Sequence, residues 1–124
     1  MTALDETLGR FCDAWNRHDA SELAALWTED GELNHPWGRR ATGREAIRAL
    51  LEEEHARSMA ASSLRVVRVN TFSTGTNVLA DVEGVLEGVI APNGRRYALP
   101  HVMSAMFVET GAGWRIRTLT PLPA

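Results

Sequence analysis

The apolar residues of this chain change period once, between His55 and Leu64, and that change fixes the order of its elements. Before it, apolar side chains recur at three- and four-residue steps. After it, they alternate. A three-to-four period is the stripe of an amphipathic helix, and alternation is a strand with one buried face. Leu4, Leu8, Phe11, Cys12 and Trp15 predict a first helix over Ala3 to Arg17. Asp19, followed three residues later by Glu22, predicts the capped start of a second helix with Leu23, Leu26 and Trp27 on its buried edge. Glu29-Asp30-Gly31 reads as a turn, Glu32 to His35 as a short strand, and Gly38 to Ala41 as a polar loop. Thr42 and Glu45 form a second capping box, opening a third helix whose face carries Ile47, Leu50, Leu51 and His55.

Four longer strands follow: Leu64 to Phe72, Asn77 to Ile90, Tyr97 to Glu109 and Trp114 to Thr120. Their links are short and rich in Gly and Asn, as in antiparallel hairpins. Helices first and strands afterwards make an α+β protein, with helices on one face of a curved sheet. At 124 residues the chain suits one domain, residues 1–124. A net charge of −3, with Arg supplying all 13 basic residues, gives no electrostatic footprint for nucleic acid or membrane. One cysteine, no apolar leader and no spanning segment point to the cytoplasm.

Four stretches carry a family likeness: Phe11 to Ala20 (FCDAWNRHDA), Leu26 to Leu33 (LWTEDGEL), Thr42 to Ile47 (TGREAI) and Gly113 to Ile116 (GWRI). With the element order, they resemble the SnoaL-like, SgcJ/EcaC-type branch of the nuclear transport factor 2-like superfamily. The resemblance implies a cystatin-like α+β barrel, or cone, with three N-terminal helices on a curved, mainly antiparallel sheet. It also implies a pocket between the two layers and a homodimer packed through the outer face of the sheet. Some members use a His or Asp of the pocket as general acid or base. Many relatives carry a histidine after the Trp-Arg-Ile of the last strand. Here that segment reads Arg117-Thr118-Leu119-Thr120-Pro121, without one.

Within such a cone the expected lining is Trp15, His35, Trp37, His55, Met59, Ser104 and Thr118. Histidine is the side chain best suited to move protons near neutral pH. His35 stands at the end of a strand beside Pro36-Trp37, and His55 extends the stripe of the third helix. Either is a candidate proton carrier, with Ser104 or Thr118 holding a substrate oxygen; the competing reading for both histidines is a structural one. His18, at a helix end, and His101, near a strand start, read as structural. Asp81 and Glu83, about 7 Å apart on one strand face, are an alternative acid–base pair or an external ion-pairing set. Glu52-Glu53-Glu54 reads as a solvated run.

No motif asks for a metal or cofactor. Glu52-x-x-His55 is half of a di-iron signature with no second copy, and no Gly-x-Ser-x-Gly elbow occurs. The strand from Tyr97 to Glu109 is apolar on both faces, which calls for a partner on its outer side. These residues point to an isomerase, cyclase or dehydratase acting on a small apolar carbonyl compound, or to a non-catalytic binding or assembly protein on the same scaffold.

Overall fold

The computed structural model describes residues 3–35 and 38–123, apart from the side chains of Ala3, Thr74 and Pro123. Trp37, expected in the pocket, lies outside the described residues. The elements are α1 (Ala3–Asn16), α2 (Ala20–Ala24), β1 (Trp27–Asn34), β2 (Arg40–Thr42), α3 (Arg44–His55), β3 (Ser63–Thr74), β4 (Asn77–Ile90), β5 (Arg96–Thr110) and β6 (Gly113–Pro123). The six strands form one sheet in the order β2-β1-β6-β5-β4-β3. Strands β3 to β6 are antiparallel neighbours, β1 runs parallel to β6, and β2 is antiparallel to β1. The edge strands β2 and β3 do not pair with each other, so the sheet is curved but not closed into a barrel.

The helices bury the stripes that the sequence marks. Leu8, Phe11 and Trp15 of α1, with Ile47, Leu50 and Leu51 of α3, meet the inner sheet face of Ala80, Val82, Met103, Phe107, Ile116 and Leu119. Asp19 caps α2 as expected, its Oδ1 accepting from the Glu22 amide at 3.0 Å. The second helix is much shorter than its apolar pattern suggests. It stops at Ala24, and Trp27 opens β1 instead of extending the helix. Trp27 is completely buried, and its indole N–H donates to the Glu32 carbonyl. The expected turn at Glu29-Asp30-Gly31 is a bulge inside β1. Trp27 and Glu32 are five positions apart, while their partners Ile116 and Thr118 are two apart. Gly31 is required there, because a Cβ would lie 2.7 Å from the Trp27 ring.

Two further local expectations are corrected. The segment read as a polar loop contains β2, paired to β1. The capping box at Thr42 does not form. Gly43 is the N-cap, Thr42 is committed to pairing with Glu32, and Glu45 binds Arg48. Backbone pairing of Thr42 takes it out of the place from which a hydroxyl could cap α3.

One irregularity in the sheet decides which side chains see the interior. β4 alternates regularly, with Ala80, Val82, Gly84 and Leu86 buried. In β6, a register shift lies between the pairs Met106–Thr118 and Phe107–Ile116. Ile116 and Leu119 therefore both face the core, although they are three residues apart. Thr118 pairs with Met106 and Thr120 with Ser104, all on the outer face.

Candidate functional site

A cleft of about 420 Å³ opens between the helices and the inner sheet face. Its floor is apolar: Phe11 and Trp15 from α1, Trp27 from β1, Leu86 and Val89 from β4, Met103 from β5. Phe11 and Trp15 stack at 6.2 Å between ring centroids, and Trp15 donates its indole N–H to Ser62 Oγ. Polar groups are few and sit at His35, Arg39, Glu54, Ser58, Tyr97 and His101. An apolar container with a few convergent polar groups is the usual form of a small-molecule site. A second depression around His18, Asp19, Glu52 and His55 is open and has no such apolar wall.

The cleft brings one proton-handling pair together. His35 Nε2 lies 3.2 Å from Glu54 Oε2, and both side chains are largely buried. The two atoms are in ion-pair range, but the oxygen lies out of line for a hydrogen bond, and Nε2 has no other partner. A carboxylate only accepts, so the proton of a neutral His35 ring is better placed on Nε2, facing Glu54, which leaves Nδ1 as the acceptor, with no hydrogen bond to it among the described residues. Elements on both sides hold this pair. His35 follows β1, and its amide donates to the Arg39 carbonyl. Arg39 in turn binds Glu53 of α3, which ties the β1–β2 turn to the helix that carries Glu54.

His35, Trp15 and Met59 line the cleft, as the sequence suggests. His55 does not. Its ring packs edge-on against Trp15 at 4.4 Å, on the side away from the cleft, and its Nδ1 meets His18 Nδ1 at 2.8 Å. Two ring nitrogens at this distance share one proton, so both rings cannot be cations in this arrangement. Burial, and then the proximity of His18, lower the His55 pKa to about 4. Its expected role as a proton carrier in the cleft is replaced by that of a wedge joining α1 and α3.

Ser104 and Thr118 also fall outside the cleft. The β6 bulge turns Leu119 and Pro121 toward it and puts Thr118 on the far side, while Ser104 is on the outward parity of β5. Asp81 and Glu83 share that outer face. Glu83 pairs with Arg68, whose hydrogen bond holds its carboxyl below the usual range, and Asp81 is exposed opposite Ser104. Among the described residues no three His, Cys, Asp or Glu gather as metal ligands.

Glu54 and His101 also line the cleft, although the sequence reads Glu54 as part of a solvated run and His101 as structural. Glu54 belongs to the α3 stripe, four residues after Leu50, but stands in a run of three glutamates. His101 has the strand parity of Leu99 and Met103, which places it on the inner face of β5. It is buried, and burial lowers its pKa, partly offset by a contact with the Leu99 carbonyl.

The depressed pKa of His55 has a consequence for stability. The unfolded chain binds a proton near the ordinary pKa of about 6.5, while the folded one resists it down to about 4. Between these values the unfolded state holds more protons, so stability falls as pH falls. His55→Leu should reduce the loss by on the order of 2 kcal/mol, read from urea midpoints at several pH values from neutral to acidic. An unchanged slope would remove His55 as its source.

The family model of the SnoaL-like domain matches residues 8–116. No curated protein sequence matches the chain significantly. Solved structures match it over nearly its full length. An uncharacterised protein with a cystatin-like fold from Caulobacter vibrioides has TM-score 0.86 and 18% identity, covering 98% of this chain and 87% of that one. A nuclear transport factor 2-like protein with the same fold from Novosphingobium aromaticivorans has TM-score 0.82 and 25% identity, covering 97% and 79%. A candidate scytalone dehydratase from the same organism has TM-score 0.84 and 16% identity, covering 98% and 82%.

Proposed function

The chain belongs to the SnoaL-like domain family of cystatin-like, nuclear transport factor 2-like proteins, and on that premise we propose that it is an acid–base enzyme acting on a small apolar carbonyl compound. The observation that carries this reading is the His35–Glu54 pair at the polar side of an otherwise apolar cleft. His35 Nδ1 takes a proton from the carbon beside the carbonyl, and Glu54 steadies the imidazolium that results. The electron pair left on carbon moves to the carbonyl oxygen, making an enolate. Arg39, Ser58 and Tyr97 are the donors available on the cleft wall to hold that oxygen, in place of Ser104 and Thr118. Returning the proton to another position completes an isomerisation, and losing a leaving group completes a dehydration. The dehydratase name borne by one structural neighbour is in keeping with the second course.

Exchange of α-hydrogen for deuterium tests this without a known substrate. α-Tetralone, a bicyclic ketone smaller than the cleft, is incubated in heavy water and followed by proton NMR. Exchange faster than in buffer is expected. A second reading, a non-catalytic binder, draws on β6, which offers Leu119 and Pro121 to the cleft and no histidine. Binding of α-tetralone without exchange would favour that reading.

The same proposal includes a homodimer in the cytoplasm, formed through the outer sheet face. Phe72, Leu79 and Met106 are in register across β3, β4 and β5, with Phe72 59% and Leu79 39% exposed. An apolar band of this kind marks an interaction surface. Light scattering is expected to give twice the chain mass, and Met106→Glu to give the single chain. A monomeric wild type at micromolar concentration would contradict this.

A further inference from the structure

His101 stands on the inner face of β5 between Leu99 and Met103 and is only 5% exposed. Its Nδ1 lies 3.3 Å from the Leu99 carbonyl oxygen. A carbonyl accepts and never donates, so the ring keeps its proton on Nδ1. Nε2 is then a bare lone pair on a wall made mostly of Leu86, Leu99, Met103 and Leu119. Among the described residues no side chain is paired with it. Nε2 is not sealed in the wall as His35 Nε2 is, so a hydroxyl in the cleft can reach it and donate to it.

The ring also has a space kept for it. Gly84 of β4 is the register partner of His101, and a Cβ there would come within 3.3 Å of His101 Cε1 and 3.1 Å of the Arg65 carbonyl. Gly84 does not have a positive φ, so room is its function at this position. The His35–Glu54 pair offers a second free acceptor, Nδ1. A ligand carrying only a carbonyl would satisfy neither ring.

We propose that His101 is a recognition residue whose Nε2 accepts a hydrogen bond from a hydroxyl of the ligand, so that the cleft selects hydroxylated apolar carbonyl compounds over the same skeleton without the hydroxyl. This rests on the cleft being the ligand site argued above. It narrows the substrate class to hydroxy-ketones, their enols and phenolic ketones.

The test compares α-tetralone with a set of ring-hydroxylated α-tetralones, each titrated into the intact protein and followed by NMR. At least one hydroxylated compound should bind about tenfold more tightly than the parent, the worth of one good hydrogen bond. His101→Asn keeps a donor for the Leu99 carbonyl and lacks Nε2. It should bind that compound and the parent within about twofold of each other. Persistence of the preference in His101→Asn overturns the proposal, as does a wild type that binds every compound equally. Nitrogen NMR of the unliganded wild type supplies a readout independent of any ligand: Nε2 should be the unprotonated nitrogen, and a protonated Nε2 overturns the proposal outright. Failure of every compound to bind, with Nε2 bare, overturns the carbonyl-compound reading and the ligand class with it. A wild type that binds α-tetralone and every hydroxylated compound equally overturns the role of His101 and leaves the carbonyl-compound reading standing.

Discussion

Trp27→Ala should cost about 3–5 kcal/mol of stability, the largest loss expected from any single truncation in this chain. Trp27 is the largest fully buried side chain, with its ring centroid 6.0 Å from that of Phe11. Its removal leaves a void under the cleft floor and strips the Glu32 carbonyl of the indole N–H that satisfies it. Both effects act in the same direction, since a void and an orphaned acceptor each destabilise. Against a total of about 5–15 kcal/mol for a domain, the melting temperature should fall by roughly 10–20 °C. Trp27→Phe, which keeps most of the ring but not the N–H, should lose less than half as much. A calorimetric scan of the two variants measures this. Equal losses would mean that the hydrogen bond, rather than the packing, holds the β1 bulge in place.

His35→Ala should leave the fold nearly intact and reduce α-hydrogen exchange by about 10²–10⁴-fold, the usual contribution of a positioned proton acceptor. The two effects separate because His35 follows the end of β1 and is not part of the buried hydrophobic cluster. Glu54→Gln keeps the shape of the partner and removes its charge. It should slow exchange by about tenfold and move the pH profile, because the imidazolium loses its counter-charge. A slowed rate with an unmoved profile would make Glu54 a packing residue. His55→Leu belongs with these variants as a control: His55 lies behind Trp15 and outside the cleft, so exchange should persist when it is replaced.

The sheet was legible in the sequence wherever alternation is unbroken. β4 follows it from Val78 to Leu86, and its bounds, Asn77 to Ile90, are the expected ones. Alternation fails where a residue is inserted. The extra residue in β6 reverses parity between Ile116 and Leu119, and no local residue signals it, since Arg117 and Thr118 are ordinary strand residues. That reversal, together with the outward parity of Ser104, keeps both expected oxygen-holding residues out of the cleft. The end of α2 was equally hidden. Leu26 and Trp27 fit both a helical stripe and the start of a strand, and tertiary packing around Gly31 decides between them.

The site was half legible for a related reason. His35 is marked by its place at a strand end beside Pro36-Trp37, where the mouth of a pocket is expected. Glu54 is not, because a glutamate in a run of three ordinarily faces water. Only the α3 stripe continued from Leu50, and the β1–β2 turn folded back by the Arg39–Glu53 pair, place it against His35. His55 misled in the opposite sense. It continues the same stripe, but from the side of α3 that faces His18 rather than the cleft.

The central claim is that proton chemistry belongs to the cleft face of the sheet and not to its outer face. α-Hydrogen exchange of α-tetralone by the wild type, by His35→Ala and by the double variant Asp81→Asn/Glu83→Gln tests it most directly. The expected result is exchange by the wild type and the double variant at similar rates, with its loss in His35→Ala. Exchange retained in His35→Ala and lost in the double variant would contradict the account and move the chemistry to the outer carboxylates.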